Sequence, residues 1–266
     1  MPSTTVAAVQ NLRNDLIIKP TQGAAILADF NVTAGIDNLF ATDGTLNTLP
    51  NGWYSCGETD TGGLQFNRAL TVQDTMTWQS VLPARSDVTA DKRTVQVKFV
   101  EALNLPVRSL DAGLRIADTP TIGAPFKVDT DSTGNQPMRR LLCIGYDPVL
   151  DVFIAREYFK AKVTSYGNQT WNRQNPVDVD VTFDTYIDPV WGTSDRRYIG
   201  GAGWVALLPP PPWAASTTYA LNSKVTLQGT TLQATTAGTS AATAPTPPAT
   251  VGGTVTDGTV VWTRTA

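Results

Sequence analysis

Residues 52–101 decide the reading of this chain: they open G-W-Y-S-C-G-E-T-D-T-G-G-L-Q-F and close K-R-T-V-Q-V-K-F-V-E. Leu64-Gln65-Phe66 alternates apolar and polar residues, the period of a half-buried strand. Val95, Val97 and Phe99 alternate with Gln96 and Lys98, which predicts a second, longer strand of the same kind. Between them lies 67–93, with the alternation Met76-Thr77-Trp78-Gln79 and then Pro83-Ala84-Arg85. Connections this long in a compact domain are usually functional. The stretch predicts a β-hairpin with a very long arm at 67–93, built to reach a neighbour.

Working outward, 266 residues at 41% apolar and 16% charged suffice for one large or two ordinary globular domains. No run of about 20 apolar residues predicts a membrane span. The start, M-P-S-T-T-V-A-A-V-Q-N, lacks a basic segment followed by an apolar core, so no signal peptide is read there. The chain is therefore expected in the cytoplasm unless released within a larger particle. Cys56 and Cys143 are the only cysteines, too few for a disulfide framework or a zinc cluster, and read as buried thiols. The chain has no histidine, which removes Ser-His-Asp, Cys-His and His-metal chemistry together. No cofactor is implied, and no glycine-rich phosphate loop is present.

In chain order, residues 1–22 read as an N-terminal arm, followed by a short strand at 23–27. Residues 31–51 have loop composition, 53–57 a strand, and Asp60-Thr61-Gly62-Gly63 a turn. Val107, Leu110 and Leu114 share one helical face, predicting a helix at 105–116 with Asn104 as its N-cap. Residues 119–137 read as loop. A hairpin then follows from 139–146, the Asp147-Pro148 turn and a return strand at 151–164. Val177, Val179, Val181 and Phe183 alternate with Asp178, Asp180, Thr182 and Asp184, apolar on one face and acidic on the other. Like charges on one strand face repel, so that face looks at water.

Pro209-Pro210-Pro211-Pro212 reads as a polyproline linker, after which the composition shifts. The last 54 residues hold one Lys, one Arg and one Asp of the chain's 20 Lys+Arg and 23 Asp+Glu, leaving 18 basic and 22 acidic residues in 1–212. Residues 213–266 predict a small β module with strands at 224–228, 231–235 and 259–263. Trp213, Tyr219 and Trp262 are its candidate core. The domain reading is therefore 1–208, 209–212 and 213–266.

The order L-P-N-G-W-Y-S-C-G-E-T-D-T-G-G-L-Q-F, then T-M-T-W-Q-S-V-L-P-A-R, then T-V-Q-V-K-F-V-E-A-L-N resembles the major tail tube proteins of long-tailed bacteriophages, over roughly residues 16–205. That resemblance implies a mainly β fold, a β-sandwich or barrel with one flanking helix, here with a small all-β C-terminal module. It implies homohexameric rings stacked into a tube that conducts DNA without specific binding. The implied partners are further copies of the chain and other tail proteins (tape measure, tail terminator, tail tip), in a virion assembled in the bacterial cytoplasm. Met76, Trp78, Pro83 and Arg85 become candidate inter-ring contacts. Asp178, Asp180 and Asp184 become candidate lumen-facing residues, because an acidic or neutral lumen repels phosphate. A net charge of −4 over 1–212 gives −24 per ring. The C-terminal module is similar in residue order to small sugar-binding modules, which makes Trp213, Tyr219 and Trp262 candidate glycan-stacking residues, although a core role suits them better.

Other readings are a tail-tip or receptor-binding protein engaging host-surface glycan through the module, and a related connector or tail terminator. An enzyme is disfavoured: Glu occurs only at Glu58, Glu101 and Glu157, none in a recognisable acid/base arrangement.

Overall fold

The computed structural model describes residues 13–30, 35–121, 123, 125, 127–129 and 134–265. The expected N-terminal arm up to residue 12, positions 31–34 of the loop at 31–51, and seven positions of the loop at 119–137 lie outside the described residues. The chain divides into two compact units, Met1–Val205 and Ala206–Ala266.

The first unit is built on β1 (Gln22–Asp29), β2 (Tyr54–Ser55), β3 (Thr59–Thr77), β4 (Ser80–Phe99), β5 (Arg139–Asp147), β6 (Val152–Tyr166), β7 (Val179–Thr185) and β8 (Asp195–Gly200). These form one antiparallel sheet in the order β2-β1-β5-β6-β7-β4-β3, with β8 also paired to β6. The fold is mainly β and sandwich-like. Ala25 and Leu27 of β1 share one apolar cluster with Val95, Val97, Val181 and Phe183 from β4 and β7, so the sheet curves back over its own core. Ile26, Leu142 and Ile144 point the other way and pack on Ile36, Leu39, Phe40 and Trp53. Strands β1 and β5 are thus covered on both faces and read as continuous apolar runs.

Helix α1 (Leu105–Asp111) lays Val107 and Leu110 on the first cluster. It is shorter than the 105–116 expected. Gly113, at φ +69°, turns the chain, with its N–H on the Leu110 carbonyl and the Leu114 N–H on that of Ser109. Ile116 then falls in a separate 3-10 turn, Ile116–Asp118. Asn104 occupies the cap position, but its side chain donates to Glu101 and makes no cap bond.

A buried ionic cluster ties these turns to the sheet. Asp29 accepts from the N–H groups of Ile116 (3.0 Å) and Ala117 (2.9 Å). Arg139, 3.8 Å from Asp29, donates to the Ser109 hydroxyl, the Ser109 carbonyl and the Leu114 carbonyl. Its burial lowers its pKa, opposed by the Asp29 charge.

Two further expectations change. The turn at 60–63 is an irregularity inside β3, where pairing with β4 slips between Thr59 and Leu64. Strand β8 and the short helix α2 (Ala202–Leu207), absent from the sequence reading, follow the 186–194 excursion. Both cysteines are buried.

The second unit contains β9 (Thr218–Tyr219), β10 (Lys224–Leu227), β11 (Thr230–Thr236), β12 (Gly238–Thr239), β13 (Thr254–Asp257) and β14 (Val260–Arg264). Its sheets are β10-β11-β14-β13 and β12-β9. Residues 210–212, read as part of a free spacer, are tied to this unit. The Thr226 N–H and hydroxyl donate to the Pro211 and Pro210 carbonyls, and the Trp213 N–H returns to Thr226. Proline lacks a donor but keeps its acceptor, so it can serve as one side of a bridge.

Asp257 organises the module core. One carboxylate oxygen accepts the indole N–H of both Trp213 (2.7 Å) and Trp262 (2.9 Å); the other accepts the Ala241 N–H (2.8 Å). Asp257→Ala strands these donors, at about 1–3 kcal/mol for each buried unsatisfied group. The expected result is loss of exchange protection across 213–265 with β1 and β5 unchanged, read by hydrogen-exchange mass spectrometry.

Candidate functional site

Strands β3 and β4 run far past the sheet that holds them. β7 pairs with β4 only from Thr94 to Phe99, while β3 and β4 continue to pair with each other out to Thr77 and Ser80. The expected arm at 67–93 is therefore a two-stranded ribbon along its length rather than a loop. Its tip, Trp78-Gln79, closes a register that slips between Thr75 and Thr77.

The side chains sort by the two-residue period. Leu64 packs on the core opposite Val97. The same face of β3 then presents Phe66, Arg68, Leu70, Val72, Asp74 and Met76, with Val88 opposite Val72. The core-facing side of the body thus continues along the arm after the core has ended. Leu70, Val72, Met76 and Val88 are each half-exposed or more, Val81 is 93% exposed and Trp78 98%. Isolated surface apolar residues are ordinary, but a contiguous row of them marks an interaction surface.

The root of this face is held by charge. Arg68 bridges Asp91 through two hydrogen bonds of 2.8 and 2.9 Å, and Arg93 contacts Asp91 and, on β8, Asp195. The hydrogen bonds from Arg68 and then Arg93 hold the Asp91 carboxyl down at about 2. Nearer the tip, Ser86 donates to Asp74 (2.6 Å), and Arg85 reaches Asp87 (2.7 Å).

The opposite face carries Gln65, Asn67, Ala69, Thr71, Gln73 and Thr75, continuous with the outward row of β7. There Asp178 meets Lys98 at 2.8 Å, Asp184 meets Lys92 at 3.0 Å and the Thr164 hydroxyl at 3.0 Å, and Gln96 donates to Asp180 at 3.2 Å. The hydrogen bond to Asp178 raises the Lys98 pKa. The acidic row of the sequence is a charge-balanced polar face, because β4 supplies Lys92 and Lys98 and β6 the Thr164 hydroxyl, which period-two reading of β7 alone does not reveal.

Of the candidate residues, Met76, Trp78, Pro83 and Arg85 are gathered at the exposed end of the arm. Asp178, Asp180 and Asp184 share the polar face. Trp213 and Tyr219 pack against the module core, with Tyr219 edge-on to Trp262 at 4.9 Å. Trp262 is fully buried, so its candidate role as a sugar platform is corrected: no ring face is open. The sequence reading missed Leu70, Val72, Val81, Leu82 and Val88. The first two carry a period-two signal with Phe66 and Met76, obscured by Arg68 and Asp74. No protein-family model matches the chain, and no curated protein matches it.

The Asp91 carboxyl lies below its ordinary 3.8, so its pairing is fully present above about pH 4 and is lost as pH falls through about 2. Its carboxyl carbon resonance should titrate near pH 2 in the intact chain and closer to 3.8 in Arg68→Ala. A midpoint near 3.8 without the substitution would mean that the ion triad does not hold the arm root.

Proposed function

We propose that this chain is the structural subunit of a phage tail tube: rings of six copies, stacked so that their common lumen conducts DNA during genome ejection, with the C-terminal module displayed outside. The observation that carries this reading is the arm. Its apolar face is a sheet face without a core, and the exposed apolar area it presents is removed from water only when another molecule covers it. A subunit that repeats in a polymer supplies that cover with every copy.

Two further observations support the proposal. β3 stands at the end of the sheet, with its far edge paired to no strand among the described residues. Open edges are a liability for a solitary protein, and pairing across subunits removes them. The polar face of β7, β4 and β6 alternates carboxylates with lysines and carries amides and hydroxyls between them. Such a surface neither concentrates the positive charge that holds a phosphate backbone nor strongly repels it. The sequence resemblance over roughly residues 16–205 suggests the family, and the partners it implies (tape measure, tail terminator and tail tip proteins) belong to the same proposal.

Negative-stain electron microscopy across a concentration series is the direct test, with six-fold rings or striated hollow tubes as the expected result. Monomers or trimers at every concentration would overturn the proposal. A chain in which residues 69–90 are replaced by a two-residue turn should keep its β-sheet circular dichroism, because the arm contributes little to the core. It should form no tubes at any concentration at which the intact chain does.

A further inference from the structure

At the root of the arm a groove of about 840 Å³ opens between the start of β3 and the surface of β5, β6 and β8. Leu64, Phe66, Ile144, Ile154 and Ile199 give it apolar walls. Gly23 and Gly145, paired across β1 and β5, lie at its floor, with the Pro20 ring packed close over Gly145 as a further apolar wall. Arg156 lies over the Phe66 ring at 4.3 Å, and Arg197, 61% exposed, stands at the rim.

We infer that this groove receives the arm tip of a second copy, with Trp78 as the anchor. This rests on the assembly proposed above and names the contact within it. Three observations converge. Trp78, Val81 and Leu82 stand exposed at the hairpin tip, and tryptophan seated in a desolvated pocket is enriched among the residues that carry interface binding energy. Asp74, on the same face two residues behind Met76, holds only the Ser86 hydroxyl among the described residues; on seating it comes to the arginine rim. The patch and the groove also lie at opposite ends of one lever.

That separation fixes the geometry of assembly. Phe66 lines the groove and Trp78 ends the arm, so tip and groove stand about 40 Å apart at roughly 3.3 Å per residue. A contact between different parts of the same surface is heterologous, and repetition propagates it head to tail. Each copy is then displaced from the next by about one arm length.

Disulfide trapping tests the contact. Cys56 and Cys143 are buried, and burial pushes both thiols up, Cys143 to about 12, so introduced cysteines react alone. The full chain carrying both Gln79→Cys and Ile199→Cys should oxidise to a ladder of dimer, trimer and higher species on a non-reducing gel. Each single variant, and a control pairing Gln79→Cys with Val149→Cys, should stop at dimers. Trp78→Ala should raise the concentration needed for association at least tenfold, and Trp78→Phe should recover most of it.

Electron microscopy of the same samples separates the two claims. Rings or tubes without the ladder would overturn this contact and leave the tube proposal standing. A ladder with filaments but no rings would keep the contact and remove the tube. Dimers alone from the double variant, as reciprocal exchange of arms gives, would overturn the head-to-tail contact, and so would unchanged association in Trp78→Ala.

Discussion

A strand puts alternate side chains on opposite faces, and a face made apolar must be covered. That constraint governs this molecule from end to end. Where β4 pairs with β7, the alternation sends Val95, Val97 and Phe99 into the core and Gln96 and Lys98 to water. The arm strands β3 and β4 keep one apolar face after the body stops, β4 changing phase where the register slips between the Thr71–Ala90 and Val72–Val88 pairs. The arm is therefore a continuation of the body's own sheet, with one face polar and the other still asking for a core. Among the described residues no layer covers that face, and Leu70, Val72, Met76 and Val88 stay half-exposed or more.

The ribbon can project because its base is rigid. Arg68, Asp91 and Arg93 brace it across its width, and Arg93 anchors it to Asp195 of β8. Deeper in, Asp29 and Arg139 fasten the turns after α1 to the sheet: Asp29 accepts two backbone N–H groups, and Arg139 donates to backbone carbonyls through Nη2 while its buried Nε has no partner among the described residues. A buried ion pair is weak evidence for net stability, but removing one partner leaves a charge in a low dielectric. Such pairs act here as registration marks, fixing which turn sits on which strand.

How much of this was legible in the sequence depended on how locally each feature was encoded. The hairpin, the 139–164 strand pair and the alternation of β7 were readable, because period two over several residues is a local signal. The arm's ribbon form was less so: Trp78-Gln79 is not an Asn-Gly or Asp-Gly turn, and the register slips beside it. Helix α1 was placed correctly at its start and overrun at its end, where Gly113 mattered more than the apolar spacing that continued to Leu114. β8 escaped because D-R-R-Y-I-G carries its pattern under charge that neighbouring strands neutralise. The pairing of Asp178 with Lys98 and Asp184 with Lys92 lies in sheet topology, which one strand's sequence cannot supply. The groove joins residues from β1, β3, β5, β6 and β8, and only the fold brings them together.

Asp257 is the only acidic residue in 213–266, and it is buried beneath two indoles. The module's surface therefore carries no side-chain carboxylate. Calcium and magnesium bind through carboxylate oxygens, and they find no such ligand there. However many of these modules are crowded side by side, divalent ions have no side chain through which to bridge one to the next.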